Sequence, residues 1–402
     1  MMASQALEGV RVLDLTRHVA GPLCAKLLAD YGADVIKIET PGRGDPARWI
    51  APFLRDLPDP ERSGLFLHLN TNKRGITLNL KTETGRAIFL KLLPSADIVV
   101  ENFRPRVMPS LGLEYATLSA IKPNLVMTSI SNFGQTGPYR DWSASDLILY
   151  AMGHEMWGTG QPDLEPGAMA NKLMLHIAGS MACMATLGAF YGAQFQGVGQ
   201  QVDLSIMEVM ASSIDRRAPS LLAYQYCGER AVRVPSVNGI DAPPFVNYCA
   251  DGFFEITVGI QWWADFVRAI GEDWIKDSVF RPPVREVSTR ERFDAHWIPW
   301  CMARNKNEIV AIFQKAGIPC APLNTTEDLL ADAQLADRGY FVQIDHPASG
   351  RLTYPGAPFR LMQTPFAIRR PAPLLGQHNA EVLGDLGYDA NDLAVLSAAG
   401  VI

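Results

Sequence analysis

Gly167 to Glu208 reads GAMANKLMLHIAGSMACMATLGAFYGAQFQGVGQQVDLSIME, with no formal charge between Lys172 and Asp203. The first part is apolar and rich in Ala, Gly, Ser and Met, which predicts one long helix. Ala178, Gly179, Ser180, Ala182 and Cys183 are small enough to let it approach other backbone closely. Gly197-Val198-Gly199-Gln200 breaks it, and Gln201-Val202-Asp203-Leu204-Ser205 then alternates like a short strand. About twenty apolar residues would also cross a membrane. This run is poor in Leu, Ile and Phe and contains His176 and Gln194, so we read it as the buried helix of a large globular core and expect no membrane partner.

Working outward, Val10–Leu15 is a short apolar strand, Ala20-Gly21-Pro22 opens a helical pattern, and Ala33–Glu39 is a second strand. Such a unit crosses over right-handed. Residues 41–63, rich in Pro, Gly and Arg, read as a surface loop. Ile76–Leu80, Ile98–Val100 and Leu125–Ile130 are further strand candidates, and Thr82–Leu93 a helix. The alternation predicts an α/β fold with a mainly parallel sheet. Neither GxGxxG nor GxxxxGK[ST] is present, so a nucleotide needs another kind of grip. Ligands in such sheets sit at the carboxyl ends of the strands.

We expect residues 1–225 to form a large domain, 226–330 a smaller α+β domain, and 331–402 to return to the large one. Of the 402 residues, 48% are hydrophobic and 19% charged, with a net charge of −6 and no basic block. That balance fits a globular protein and excludes a nucleic-acid partner. The first residues, MMASQALEGV, do not read as a secretory signal. Cys24, Cys183, Cys227, Cys249, Cys301 and Cys320 are too scattered for a zinc site or disulfide framework, and we expect reduced thiols in the cytoplasm.

Several motifs coincide in order along the chain. They are Asp14-Leu15-Thr16-Arg17 with Ala20-Gly21-Pro22, LLADYGADVIKIE from Leu27 to Glu39, Asn72-Lys73-Arg74 and Glu101–Pro105. Next come Phe133–Tyr139, Gly199-Gln200 with Val202-Asp203, and Pro371–Gly376. Together they resemble the class III CoA-transferase (CaiB/BaiF type) family. The resemblance implies two domains, the large one built from both chain ends, and an interlocked dimer. It implies transfer of coenzyme A from an acyl-CoA to a free carboxylate, with CoA thioester as substrate and no permanent cofactor or metal. An aspartate attacks the donor thioester, and anhydride and aspartyl-CoA stages divide one hard step into several easier ones.

The resemblance places CoA contacts at Val19, Ala20, Thr40, Asn72, Lys73, Asn102, Phe103 and Arg104, with Lys73 and Arg104 offered to phosphate oxygens. The family's aspartate stands four residues before a glycine matching Gly179, and that position is Leu175. Met174 and His176 flank it, so no carboxylate is recovered by a one-residue shift. The racemase branch of the superfamily needs the same aspartate and a histidine where Ser145 stands, which argues against racemisation. His176 reads as a satisfied core histidine and Asp146 as structural.

The expectation is therefore a catalytically silent subunit whose partner is an Asp-bearing paralogue. A heteromeric member moving CoA from succinyl-CoA to benzylsuccinate is built this way. The alternatives are an active homodimer using another carboxylate, with Glu155, Asp163, Glu165 and His176 as candidates, or a CoA-binding protein without turnover.

Overall fold

The computed structural model describes residues 5–160, 164–168, 172–212, 217–228, 230, 243–284 and 286–402. Asp163 lies outside them. Two compact units emerge. The larger comprises residues 1–159, 167–231 and 339–402, and the smaller residues 160–166 and 232–338.

The larger unit is organised by six parallel strands: β1 (Arg11–Asp14), β2 (Asp34–Glu39), β3 (Lys73–Thr77), β4 (Ile98–Glu101), β5 (Val126–Ser131) and β6 (Gln200–Ser205). Their order is β3-β2-β1-β4-β5-β6. Successive side chains of a strand point to opposite faces, and here both faces are apolar. Val12, Val35, Val100 and Val126 join one core with the long helix Leu173–Gln196. Leu13, Ile36, Val99 and Met127 join the other, with Ile88 and Phe89 of helix Glu83–Leu92 and with Val382, Leu383 and Leu396. A sheet covered on both sides gives the continuous apolar strands seen in the sequence.

Two sequence expectations are corrected. The third strand begins at Lys73 rather than Ile76, because Lys73 pairs with Val35 and Thr77 with Glu39. The stretch 41–63 is not all surface. Arg48 is fully buried; it bonds both carboxylate oxygens of Glu39 at 2.8 Å and Glu61 at 2.6 Å, and lies 3.7 Å over the Phe66 ring. A buried guanidinium is tolerable only when neutralised and hydrogen-bonded in this way.

The long helix packs on helix Ala20–Asp30 through its small residues. A Cβ at Gly179 would stand 2.6 Å from the Ala20 carbonyl oxygen and 3.0 Å from the Leu23 Cβ. Gly197 ends the helix with φ 70°, a conformation glycine adopts without a steric penalty. Among the described residues this is the one helix long and apolar enough to cross a membrane. One face is built into the core, while Met184, Tyr191 and Phe195 on the other are 61%, 66% and 72% exposed.

The C-terminal segment closes the β3 edge. The Asn72 N–H donates to the Arg370 carbonyl, His378 to Gly75, and Asn79 to Val401. Asn379 Oδ1 accepts from the Thr77 N–H at 2.8 Å. A hairpin, β10 (Phe341–His346) with β11 (Gly350–Pro355), belongs to the same unit. The smaller unit holds the antiparallel strands β7 (Val246–Cys249), β8 (Gly252–Ile256) and β9 (Cys320–Pro322). Its core gathers Trp263, Phe266, Phe293, Trp297, Trp300 and Phe313, with Trp262 packed against it. The adjacent Trp262 and Trp263 thus both belong to the core of this unit.

Candidate active site

The strand order reverses between β1 and β4. Loops leaving these two strands diverge there, which opens a crevice at their carboxyl ends. The Arg17 N–H donates to Asn102 Oδ1 at 2.8 Å, and Asn102 Nδ2 donates to the Arg17 carbonyl at 2.7 Å. The Arg17 guanidinium lies 5.0 Å over the Phe103 ring and donates to the Thr40 hydroxyl at 3.1 Å. Helix Ala20–Asp30 starts at this point without a side-chain cap on its first N–H groups. Unsatisfied N–H groups at a helix start favour negative charge.

A cavity of about 360 Å³ opens here. Val19, Ala20, Asn102, Phe103 and Arg104 line it, so five of the eight CoA-contact candidates share one wall. Leu175, from the first turn of the long helix, lines the same cavity. Thr40 is linked to it through Arg17 and is not in the wall.

Asn72 and Lys73 are placed otherwise. Lys73 is fully buried, and its ammonium donates to Asp14 at 2.8 Å, the Pro22 carbonyl at 2.8 Å and Asn70 at 2.9 Å. An ammonium has three donors, so none is left for a phosphate oxygen. Asn72 donates to Asp30 and the Ala367 carbonyl and accepts from the Arg369 and Arg370 N–H groups. Its amide pins the C-terminal return. Both residues brace the fold behind the cavity.

The brace is ionic. Burial alone would raise the Asp14 carboxyl, but Lys73 and Lys37 overcome it and hold it below the usual range. Burial pushes the Lys73 ammonium down to about 8, against the pull of Asp14, so it stays charged at neutral pH. Lys37 also pairs with Asp45 at 2.9 Å, and Asp45 Oδ1 accepts the His18 N–H at 2.9 Å. That bond fixes His18 at φ 67°, two residues before the helix start in the cavity wall. At the end of β4, burial pushes the Glu101 carboxyl up to about 7, against the pull of Ser129 and of the Phe103 N–H, which donates to it at 2.8 Å.

The far wall was not legible in the sequence. Ser131, Arg140, Asp141 and Asp146 line it. The motif Phe133–Tyr139 stops one residue short of Arg140, and Asp146, read as structural, faces the cavity from the start of helix Asp146–Met152. Gly134 and Gly137, with φ 87° and 88°, turn the chain between β5 and this wall. His176 bonds the Lys172 carbonyl at 3.1 Å and is not in the wall; Glu155 is buried away from the cavity and Glu165 is exposed. Among the described residues no group of three or more His, Cys, Asp or Glu is arranged for a metal ion.

Residues 7–379 match the sequence family described as CoA-transferase family III. A succinate–glutarate CoA-transferase of Agrobacterium fabrum is 32% identical, covering 94% of this chain and 95% of its own. A succinyl-CoA:(R)-benzylsuccinate CoA-transferase subunit, BbsE, of Thauera aromatica is 31% identical, covering 99% and 98%. The crystal structure of a CaiB/BaiF family protein from Brucella suis superposes with a TM-score of 0.85 at 29% identity, covering 95% of this chain and all of that one. Members of this family act on CoA thioesters without a permanent cofactor. By its sequence motifs, its six-stranded sheet and these full-length likenesses, the chain belongs to CoA-transferase family III.

Proposed function

We propose that this chain is the catalytically silent subunit of a heteromeric class III CoA-transferase. It would act with an Asp-bearing paralogue, in an interlocked assembly, to move CoA from succinyl-CoA to a carboxylic acid such as benzylsuccinate. The observation that carries this reading is Leu175 in the wall of the cavity that gathers Val19, Ala20, Asn102, Phe103 and Arg104. Transfer begins when a carboxylate oxygen attacks the thioester carbonyl and CoA leaves as thiolate. A leucine side chain has no lone pair for that attack. In this reading the partner's aspartate forms the anhydride, then the aspartyl-CoA thioester, and the five wall residues of this chain hold CoA.

The exposed apolar face of the long helix supports a partner, since large apolar patches on a monomer mark interfaces. The relative named as a subunit supports a heteromer. The six free cysteines suit the reducing cytoplasm.

A second reading rests on Asp141 and Asp146, which line the same cavity. In it, one of them is the nucleophile of an active homodimer. Coexpression with the most similar neighbouring paralogue, followed by native mass and a succinyl-CoA transfer assay, separates the two. The first predicts an inactive single chain, an active complex, and loss of activity when the partner's aspartate is replaced. Turnover by this chain alone that disappears in Asp146→Asn or Asp141→Asn supports the second. CoA binding with no transfer in either preparation indicates a binding protein without turnover.

A further inference from the structure

His18 lines the cavity and has no part in transfer by an aspartate. It stands at φ 67°, a left-handed conformation that is uncommon outside glycine and gathers at functional sites. The conformation is imposed. Asp45 accepts the His18 N–H at 2.9 Å and the Ala47 N–H at 2.8 Å, and is itself held by Lys37. The side chain is exposed, and among the described residues its ring makes no hydrogen bond. Two observations set it beside Leu175. Leu175 packs against the cluster of Val19 and Leu23, and Val19 follows His18 in the chain. Lys172, one turn before Leu175, is within electrostatic reach of the imidazole. Burial, with Lys172, Arg17 and Lys37, holds the ring below its ordinary pKa against the pull of Asp45, so it is a neutral base at pH 7.

We propose that this chain hydrolyses acyl-CoA thioesters at its own site, with His18 as general base. The inference rests on the reading that a thioester enters the cavity with its carbonyl beside Leu175. It adds that, without the aspartate, the acceptor becomes water instead of a carboxylate. The imidazole takes a proton from a water molecule as the water oxygen bonds to the thioester carbonyl carbon. The charge that develops on the carbonyl oxygen is met by the free N–H groups at the start of helix Ala20–Asp30. When the tetrahedral intermediate collapses, the C–S bond breaks and the imidazolium returns its proton to the CoA thiolate. One thioester and one water give one carboxylic acid and one CoA thiol, with no redox change. Leucine permits this outcome. A carboxylate at that position would capture the acyl group as an anhydride, whereas an apolar side chain leaves the carbonyl to water.

The activity is read as free thiol released from succinyl-CoA by the purified full chain, with no acceptor acid added and against a protein-free control. The chain is expected to accelerate release, and in heavy-oxygen water each succinate formed is expected to carry one labelled oxygen. His18→Asn keeps a residue that tolerates the left-handed conformation and removes the base; it is expected to lower the rate about a hundredfold or more, while calorimetry shows unchanged CoA binding. The rate is expected to fall on the acid side with a midpoint below the ordinary histidine value, and His18→Asn to lose that midpoint. The charged groups around the ring are Asp45, Lys37, Arg17 and Lys172, with Arg104, Arg140, Asp141 and Asp146 elsewhere in the wall. His18→Gly is expected to regain hydrolysis with added imidazole, which a structural role would not show. No acceleration over buffer, or an equal rate in His18→Asn, overturns the proposal. If His18→Asn does not fold, His18→Gly decides, and an inactive variant that imidazole does not revive overturns it. The transfer assay on the coexpressed complex separates the two layers. Transfer by the complex with no hydrolysis by the single chain removes this inference alone. Hydrolysis by the single chain with no transfer in any complex removes the silent-subunit reading and leaves His18 its role.

Discussion

Glu101 shows what a single residue does here. Its carboxylate ends β4 and accepts the Phe103 N–H, so it shapes the loop carrying Asn102 to Arg104. Burial raises it to about 7, above its ordinary value. The folded state therefore binds a proton that the unfolded state releases between about 4.5 and 7. The contribution of Glu101 to stability is complete at the acid end of that window and is lost as pH rises through 7. Thermal unfolding of wild type and Glu101→Gln across pH 4.5–7 checks this; the variant is expected to lose part of the decline, and parallel curves would refute it. The motif Glu101–Pro105 was visible in the sequence, but the burial that sets this behaviour was not. Lys73 makes the same point. In sequence it looks like a phosphate ligand, and only the packing of Asp14, Pro22 and Asn70 around it shows that its donors are spent.

At the level of elements, the meeting of helix Ala20–Asp30 with the long helix places Leu175 opposite Val19 and Ala20. That contact depends on Gly179, where a Cβ would press on the Ala20 carbonyl and on Leu23. Gly179→Val is expected to lower stability by about 1–3 kcal/mol, the usual cost of overpacking. It should also weaken ligand binding in the cavity by separating the two helices. Denaturant unfolding and calorimetry test both effects, and unchanged values in both would show that the helices yield freely. Element order and type were largely legible, because a two-sided apolar sheet leaves short apolar runs separated by amphipathic helices. The start of β3 was missed by three residues, since Lys73 and Arg74 look like loop residues until their charges are matched by Asp14 and Asp34. The wall from Ser131 to Asp146 was missed because loops carry no periodicity to read.

For the whole molecule, the exposed face with Met184, Tyr191 and Phe195 is where assembly should be decided. A Tyr191→Glu, Phe195→Glu double variant is expected to stay folded and fail to assemble, because two carboxylates would be buried without partners. Light scattering after size exclusion, beside circular dichroism, checks this; an unchanged oligomer would place the interface elsewhere. The closing of the β3 edge by Arg370, His378 and Val401 carries a further consequence, for the order in which the chain is made. Residues 232–338 leave the ribosome before the last pieces of the larger unit exist. At 5–20 residues per second, the stretch 339–402 takes roughly 3–13 s to synthesise. During that interval the nascent sheet has an unprotected edge and lacks Val382, Leu383 and Leu396 from one of its cores. The smaller unit, in the middle of the gene, is thus the first to be complete, and the sheet that carries the site is the last.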